Sequence, residues 1–583
     1  MNLFYKNYTS RIAIAILFIG VAQLFSSCSK DKENEAPDGG LKNTDKLEIQ
    51  VLGITEDLVT TANPTSSIAV QSSGATKSIV KQSGVTAPKT LVFGGFDAVT
   101  SVVRDVQKQS NVSIGGVAKG QTSANGLMAA TPLLTNVSYR LLLYKADGTF
   151  VSSTVLTSGV AGFVDVEKGN SYNYYAISYN TNEVVPDVNP ATPNLVLPGG
   201  RDILYTSGSI SIPANQDDGN TPLGLVFQHK FSRIAVELNT MGMFGDINTA
   251  AVSVSGLAAK TGTINLKTGI VSNLTNSAQT ISYSSFANTA AGFNDAKEVY
   301  IYTADPTVAT LTVTLSNLVV NVQQPPSTTV TRSFTTLLAA TPSVFTFNVS
   351  PASGQTYRAQ INLLESPLTT QGGVRWARTN LYYADGTTHN RYRFEPTYAH
   401  TNNLNSYFSF RGLVPNQFGT NSDPCLSVYP ANVWRQATLA DYQTLVGSVL
   451  PPVVAQPVTY GTSDGGLGYL QYAAAGVTTP YEGNSLRFNF NGQGVSLGVL
   501  ENLVTVSLGS TYGTSAQIWT YTGGSVLGLA GINAVSYEGY RTPAVFPLPA
   551  FNTSRVIGNL LNISALGIDV LETNFKNVRC VRN

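Results

Sequence analysis

Short stretches in which apolar and polar residues alternate recur along the chain and restrict it to a fold built from β-strands. The clearest runs from Ser232 to Leu238, where apolar residues occupy every second position. A period of two places such side chains on one face of a half-buried strand. Other runs of this kind cover residues 46–53, 139–151, 162–180, 252–257, 298–303, 311–315, 344–349 and 357–363. The sequence therefore predicts a mainly β protein.

Length and charge limit both the organisation and the function. A chain of 583 residues is too long for one core, and its length favours about three or four domains. Only 12% of residues are charged and the formal net charge is +1, so the chain has no basic field for nucleic acid. Three His and three Cys provide little material for a transition-metal cluster, and we predict no metal and no cofactor.

The N-terminus has the pattern of a lipoprotein signal peptide over residues 1–27. Lys6 and Arg11 precede the apolar run 12–22, which is too short for a comfortable transmembrane helix. Small residues then lead directly to Cys28, as in a bacterial lipobox, so Cys28 is the predicted site of acylation and of outer-membrane anchoring. A plain secretory signal with an incidental Cys is the alternative.

Residues 28–45 are charged, contain no aromatic residue and include two consecutive glycines, which predicts a flexible tether. An acidic patch directly after the lipid-bearing Cys is typical of Bacteroidetes lipoproteins displayed on the outer face of the membrane, and this segment resembles one. A generic spacer is the alternative.

Two β-domains follow, which we predict at residues 46–205 and 206–365. In the first, the pattern around Asp147-Gly148 predicts a hairpin over 139–151, and residues 162–180 predict a second hairpin. In the second, Ser232–Leu238 is the opening strand, and six further strand segments follow at 252–257, 262–269, 298–303, 311–315, 344–349 and 357–363. Strands separated by short turns at this spacing indicate small antiparallel sandwiches.

The order of these segments resembles that of fimbrillin-type proteins, the surface lipoproteins and pilus subunits of Bacteroidetes. The resemblance rests on the run Phe227-Gln228-His229-Lys230-Phe231-Ser232-Arg233-Ile234, on "VSVSGL" at 252–257, on "TINLKTG" at 263–269 and on the final "YRAQINL" at 357–363. It implies two transthyretin-like antiparallel β-sandwich domains. His229 has no second His or Cys nearby, so a structural role is predicted for it.

The resemblance also implies how such a protein would assemble. In the family, a protease removes the first strand and a neighbouring subunit's strand replaces it, which is a form of β-strand addition. Here the strand at 46–53 would be removed, and Arg104 is the candidate cleavage site. The implied partners are other fimbrillin-like subunits.

The composition changes in residues 366–583, which contain all three Trp and two of the three Cys. Thr438 followed by Asp441 predicts the start of a short helix. The segments "VRWARTNLYY" at 374–383, "DPC" at 423–425 and "VRCVR" at 578–582 resemble the Fibrobacter succinogenes major paralogous domain. That resemblance implies an α+β, C-type lectin-like domain.

Several site residues are predicted in this C-terminal domain. The exported context predicts a disulfide between Cys425 and Cys580, although free thiols are the alternative. Trp519, Tyr521 and Tyr512 are candidates for stacking on a sugar ring, and burial in the core is their alternative role. Glu395-Pro396-Thr397 is a poor match to the calcium-binding motif of true lectins, and an exposed turn is the preferred interpretation.

Three functions remain to be compared. The first is a fimbrial tip or accessory subunit at the cell surface, with a C-terminal domain that recognises a host or bacterial glycan or protein. The second is a stand-alone surface lipoprotein that binds glycans without entering a pilus. An enzyme is the least favoured, because no catalytic motif is found and we predict no catalytic residue.

Overall fold

The structure is a computed structural model. It describes residues 44–55, 86–104, 122–123, 131–215, 220–277, 279–305, 307, 310–324, 328–349, 352–385, 389–415, 417, 421–463, 465–500, 503–508, 511–523, 532–560 and 574–583. Cys28 and the predicted signal peptide therefore lie outside the described residues.

The strands follow one another along the whole described chain. Strands β1–β11 are Thr44–Thr55, Thr86–Val92, Phe96–Arg104, Thr122–Ser123, Ser138–Lys145, Phe150–Thr157, Gly162–Glu167, Ser171–Ser178, Asn194–Val196, Leu204–Ser211 and Thr221–His229. Strands β12–β21 are Ser232–Gly242, Gly245–Ser255, Lys260–Asn265, Ile270–Asn276, Ala287–Asn288, Ala296–Thr303, Thr310–Gln324, Thr328–Ser333, Ser343–Asn348 and Thr356–Glu365.

The C-terminal strands are shorter. Strands β22–β38 are Leu368–Thr370, Arg375–Trp376, Leu381–Tyr383, Tyr392–Phe394, Trp434–Gln436, Val458–Thr462, Gly468–Tyr472, Ala474–Ala475, Leu486–Asn489, Gly494–Leu500, Leu503–Leu508, Ser515–Trp519, Ile532–Thr542, Phe551–Leu560, Asn574–Phe575, Asn577–Val578 and Cys580–Arg582. The α-helices are α1 (Thr335–Ala340) and α2 (Leu439–Val446), and 3₁₀ turns cover Tyr283–Ser285, Leu404–Ser406 and Pro424–Ser427. The prediction of a mainly β protein is confirmed.

The first sheet has the strand order β6-β5-β8-β10-β11-β1-β7, with β4 added to β10. Side chains from both halves of this order, such as Ile49 of β1 and Leu141 of β5, pack in one apolar cluster. The hairpin predicted over 139–151 is confirmed, because β5 pairs with β6. The hairpin predicted over 162–180 is wrong: β7 pairs with β1, whereas β8 pairs with β5 and β10.

The second sheet has the order β16-β17-β12-β21-β3-β2 and faces a further sheet made of β13, β18, β19 and β20. The predicted opening strand is β12, which lies between antiparallel β17 and parallel β21. Its residues Ile234 and Val236 pack with Val313 of β18 and Phe345 of β20 in a common core. Ala235, on the opposite face of β12, is also fully buried.

The sheets do not follow the domain boundaries expected from the sequence. Strands β2 and β3, from the predicted first domain, pair within the second sheet, where β3 lies beside β21. Strands β10 and β11 belong to the first sheet, so the boundary expected at 205/206 falls inside β10. Alternation identifies a strand and its buried face, but it does not identify the distant strand with which it pairs.

The apolar clusters connect the regions of the chain. A small sheet of β9, β14 and β15 packs on the outer face of the first sheet, where Ile264 and Leu266 meet Tyr144 and Ile177. The core of the second sheet continues into the C-terminal region through residues that include Trp434. A separate cluster around Trp376, Tyr442 and Phe488 forms the centre of the C-terminal region.

Helix α2 forms as predicted. Thr438 is its N-cap, and a capping box joins the Thr438 side chain to the Asp441 backbone and the Asp441 side chain to the Thr438 backbone. Tyr442 and Leu445 are fully buried on the inner face of the helix. Gly447 ends it with a φ of 83°, a left-handed conformation that glycine adopts without steric cost.

Candidate functional site

Strand β1 is an internal strand of the first sheet, next to the edge strand β7. It pairs antiparallel with β7 and parallel with β11, and Leu47 and Ile49 are almost completely buried. The Asp45 carboxylate accepts a 2.6 Å hydrogen bond from the Thr221 hydroxyl at the start of β11. An N-terminal strand that lies between two others is geometrically suited to replacement by a strand from another chain, because both of its edges already form hydrogen-bonded ladders.

Arg104, the candidate cleavage residue, lies at the end of β3 and not beside β1. Its backbone pairs with Tyr357 of β21, and the side chain is half-buried. A cut after Arg104 would release β1 together with β2 and β3, and β3 is an internal strand of the second sheet. Release of β1 alone requires a cut between Thr55 and Thr86, so the structure gives a physical reason against Arg104.

The C-terminal strand β38 lies inside its sheet, between β26 and β23. Cys580 at its start forms the expected disulfide with Cys425, with a Cα–Cα distance of 5.8 Å. Both cysteines are fully buried. Residues 580–582 are therefore held by two neighbouring strands and a covalent link, and they cannot serve as a strand donated to another subunit.

Buried charges connect the C-terminal region to the second sheet. Asp97 of β3, which is completely buried, accepts hydrogen bonds from Arg375 at 2.7 Å and Arg582 at 3.2 Å. Beside it, Arg332 of β19 pairs with Glu365 of β21 at 2.6 Å. We call these five residues the junction cluster. Because a buried charge is costly unless it is paired, each partner depends on the other.

Tyr481, which belongs to the C-terminal region, packs against the junction cluster. The guanidinium of Arg378 lies 3.7 Å from its ring centroid and that of Arg332 lies 4.9 Å away. The Tyr481 hydroxyl donates to the Gly95 carbonyl at 2.9 Å. The segment that contains β2 and β3 is thus in direct contact with the C-terminal region.

A small polar cleft in the C-terminal region is the candidate ligand site. Its lining is rich in amide, hydroxyl and guanidinium groups: Thr379, Asn380, Glu395, Thr397, Tyr398, Ala399, Thr401, Arg487, Asn489, Asn491 and Arg579. Much of this lining is internally hydrogen bonded, since Arg487 Nε donates to Asn489 Oδ1 at 2.7 Å and Arg579 Nε to Asn380 Oδ1 at 3.0 Å. Arg487 Nη2 is buried and has no hydrogen-bond partner among the described residues.

The cleft contains a carboxyl group with a raised pKa, that of Glu395. Burial raises the pKa of its carboxyl to about 7, against the opposing effect of the Ser406 hydroxyl, which donates to Glu395 Oε1 at 2.5 Å. A carboxyl group with this pKa exchanges its proton near neutral pH. The segment Glu395-Pro396-Thr397 is therefore part of a packed site and not an exposed turn, and the expected turn is corrected.

The three aromatic candidates for ligand stacking have different positions. Trp519 is completely buried and donates from Nε1 to the Phe408 carbonyl at 3.0 Å, so its predicted stacking role is corrected to a core role. Tyr521 is half-buried, with the Arg411 guanidinium 4.8 Å from its ring centroid.

Tyr512 is half-buried and lies close to the cleft. Burial raises the pKa of Tyr407, and Tyr512 makes a smaller contribution in the same direction. The Tyr407 hydroxyl is within hydrogen-bond distance of the carbonyls of Thr401 and Asn491, two residues of the cleft lining. The sequence analysis did not find the cleft itself, because its residues come from segments about 200 positions apart.

The histidines have structural partners. His229 Nδ1 lies 2.7 Å from Asp202 Oδ1 with both side chains buried, and His389 Nε2 lies 2.8 Å from Asp295 Oδ2. Among the described residues, no group of three or more His, Cys, Asp or Glu side chains is placed to hold a metal ion. No helix formed by those residues has the length and apolar character needed to cross a bilayer.

Part of the chain matches a protein-family model. Residues 201–392, about a third of the chain, match the family model described as fimbrillin-like. The matched stretch contains β12 and β21, the two central strands of the second sheet. No curated protein sequence matches the chain.

Solved structures with similarity to the chain come from species of Bacteroides, Porphyromonas and Parabacteroides. One, from Bacteroides fragilis and assigned to cell adhesion, is 11% identical; the match covers 45% of this chain and 93% of that one, with a TM-score of 0.27. The fimbrial anchor protein Mfa2 from Porphyromonas gingivalis is 15% identical over 33% of this chain and 73% of its own, with a TM-score of 0.18. A fimbrial assembly protein from Parabacteroides distasonis is 13% identical over 38% and 82%, with a TM-score of 0.19.

Proposed function

We propose that this protein is a cell-surface adhesion lipoprotein, and that it acts as a tip or accessory subunit of a fimbrium. The observation that carries the proposal is the fimbrillin-like match over residues 201–392. In this proposal Cys28 is acylated and anchors the protein in the outer membrane. The C-terminal region, with its lectin-like sequence pattern, recognises a surface glycan or protein.

The positions of two strands support the tip or accessory role over a stalk role. In this proposal a strand from a neighbouring subunit replaces β1, which pairs with β11 and β7 in the first sheet. Strand β38 is fixed between β26 and β23 and is linked to Cys425. The proposal is therefore that the chain accepts a strand in place of β1 and does not donate residues 580–582.

The polar cleft favours a second candidate, a surface lipoprotein that binds glycans without entering a pilus. Its amide, hydroxyl and guanidinium groups are of the kind that hydrogen bond to sugar hydroxyls, and Tyr398 lies among them. This candidate keeps the anchor at Cys28 and needs no partner subunit.

Immunogold electron microscopy of intact cells separates these proposals. The antibody is raised against residues 366–583, and a strain that carries Cys28→Ser is the control for anchoring. We expect label at the ends of thin filaments, and loss of label from cells of the control strain.

Label spread over a cell body without filaments would favour the glycan-binding lipoprotein. Absence of label unless the cells are permeabilised would contradict both proposals, because each requires exposure at the cell surface. Unchanged label in the Cys28→Ser strain would contradict acylation of Cys28 as the membrane anchor in both proposals.

A further inference from the structure

Two loops of the C-terminal region expose apolar side chains to an extreme degree. Val449, Leu450 and Val454 are 86%, 85% and 90% exposed, and Phe546 is 99% exposed. These are the four most exposed large apolar side chains among the described residues. Exposed apolar residues are common when scattered singly, but a cluster of them requires an explanation.

The two loops leave the same end of the domain. The first, which we call the Leu450 loop, covers residues 448–457 between α2 and β27, and the second, the Phe546 loop, covers residues 543–550 between β34 and β35. Helix α2 packs on β34 and β35. Asn552 Nδ2 at the start of β35 donates to the Val458 carbonyl at 3.3 Å, so the base of one loop contacts the base of the other.

Both loops have uncharged side chains, and several of their backbone polar groups are absent or hydrogen bonded, which lowers the cost of moving them from water into an apolar environment. Residues 447–458 and 543–551 contain no charged side chain, and each loop has several prolines, which lack a backbone N–H. In the Leu450 loop, the backbones of Ser448 and Val453 exchange two hydrogen bonds of 2.9 Å. In the Phe546 loop, those of Val545 and Leu548 do so at 3.1 and 2.6 Å. Backbone polar groups that are satisfied internally or absent reduce the cost of leaving water.

A cation lies at the base of the Phe546 loop. Arg541 is exposed, with its guanidinium 4.4 Å from the ring centroid of Tyr460 and Nη1 donating to Asn552 Oδ1 at 3.0 Å. No described acidic residue forms a salt bridge with it. Apolar tips above a basic residue match the order of layers at an anionic phospholipid surface, where acyl chains lie beneath phosphate groups.

We propose that the Leu450 and Phe546 loops form a membrane-insertion site whose ligand is an anionic phospholipid bilayer. Phe546, Leu450, Val449 and Val454 enter the acyl boundary, and Arg541 contacts phosphate. Two narrow, uncharged tips present neither a flat face nor fixed polar groups to orient a protein partner, whereas a fluid apolar layer requires no matching shape. This inference does not depend on fimbrial assembly.

Vesicle flotation tests the site directly. The protein is the chain from Ser29 onwards, which keeps every described residue and lacks the signal peptide and Cys28. The probes are vesicles of phosphatidylcholine with phosphatidylglycerol and vesicles of phosphatidylcholine alone. We expect binding to the anionic vesicles, and about a tenfold loss of affinity in the Leu450→Ser, Phe546→Ser double variant.

The matched control is Leu134→Ser with Val196→Ser, two apolar residues that are each 75% exposed outside the C-terminal region. This control should bind like the wild type. Arg541→Ala should lower affinity for the anionic vesicles only. Failure of the wild type to bind, or equal losses in the two double variants, would overturn the proposal.

Insertion itself is measured with a tryptophan at position 546. The native Trp376, Trp434 and Trp519 are completely buried and give a constant background, so a vesicle-dependent blue shift of Phe546→Trp reports entry into the apolar layer. Val196→Trp is the control and should not shift. Light scattering that shows a dimer, lost in the Leu450→Ser, Phe546→Ser variant, together with no vesicle binding would assign the loops to a second copy of the chain instead.

Discussion

At the scale of single residues, the burial of a side chain decides whether its predicted role agrees with the structure. Trp519 was selected by residue type as a ligand-stacking group, but its ring is in the core and its indole N–H has a partner. The sequence predicts Glu395 in an exposed turn, yet its carboxyl group is the acid of the polar cleft. Sequence gives the chemistry of a side chain, whereas its exposure depends on residues distant in the chain.

Glu395 should make stability depend on pH. Its folded-state pKa of about 7 exceeds the usual 4.5, so the unfolded chain loses this proton at lower pH and folding stability falls as pH rises from about 4.5 through 7. Glu395→Gln removes that dependence. We expect the variant to equal the wild type near pH 4 and to exceed its free energy of unfolding by about 2 kcal/mol near pH 8.

Urea denaturation at both pH values measures this difference. Glu183→Gln, which removes an exposed carboxylate paired with Arg201, is the control and should change stability by less than about 1 kcal/mol at either pH. If Glu395→Gln does not raise the free energy of unfolding at pH 8, the raised pKa of Glu395 is contradicted.

Asp97 should be far more important than an exposed carboxylate with a similar partner. Asp97→Asn leaves the buried Arg582 without its counter-charge, and we expect a loss of about 3–5 kcal/mol in the free energy of unfolding. Glu183→Gln breaks the pair with Arg201, in which the two side chains are 48% and 46% exposed, and should cost about 1 kcal/mol or less. Equal losses in guanidinium denaturation would show that the junction cluster is not stabilising.

At the scale of elements, local signals predicted the strands and the helix well, and pairing poorly. Period-two alternation found β1, β5, β12 and β21, and the Thr438–Asp441 pair found α2. The strands at 162–178 also formed, but in separate positions of the first sheet. A tight turn such as that between β7 and β8 is compatible both with a hairpin and with a connection between two strands that are not neighbours in the sheet, so the turn alone cannot select the partner.

The capping box of α2 provides a test at this scale. Thr438→Ala removes the side chain that accepts the Asp441 N–H, and we expect a loss of about 1 kcal/mol. Thr459→Ala at an exposed position of β27 is the control and should stay within about 0.5 kcal/mol of the wild type. Thermal unfolding followed by near-ultraviolet circular dichroism compares the two variants, and equal shifts would argue against the cap.

At the scale of the whole molecule, the N-terminal segment serves two regions at once. Strand β1 completes the first sheet, whereas β2 and β3 complete the second and contribute Asp97 and Gly95 to contacts with the C-terminal region. The sequence predicted β1 but neither β2 nor β3. It could not predict the division between sheets, because nothing local distinguishes a strand of the first sheet from one of the second.

Two truncated chains separate these roles. A chain that begins at Thr86 lacks β1 only, and we expect its first sheet to lose protection from hydrogen exchange, β21 to remain protected, and a peptide of residues 44–55 to restore the first sheet. A chain that begins at residue 105 also lacks β2 and β3, so β21 and the C-terminal region should lose protection. Identical hydrogen-exchange patterns in the two chains would contradict the conclusion that β1 stabilises the first sheet and that β2 and β3 stabilise the second.

The pairing of β3 with β21 has a consequence for biosynthesis. About 260 residues separate the paired positions, and a ribosome that adds about 5–20 residues per second needs tens of seconds to make them. The β2–β3 hairpin can form early. One edge of the apolar strand β3 then stays unpaired until β21 has been synthesised. Such an edge invites association between nascent chains, so we expect this protein to depend on a chaperone between synthesis and the closure of its second sheet.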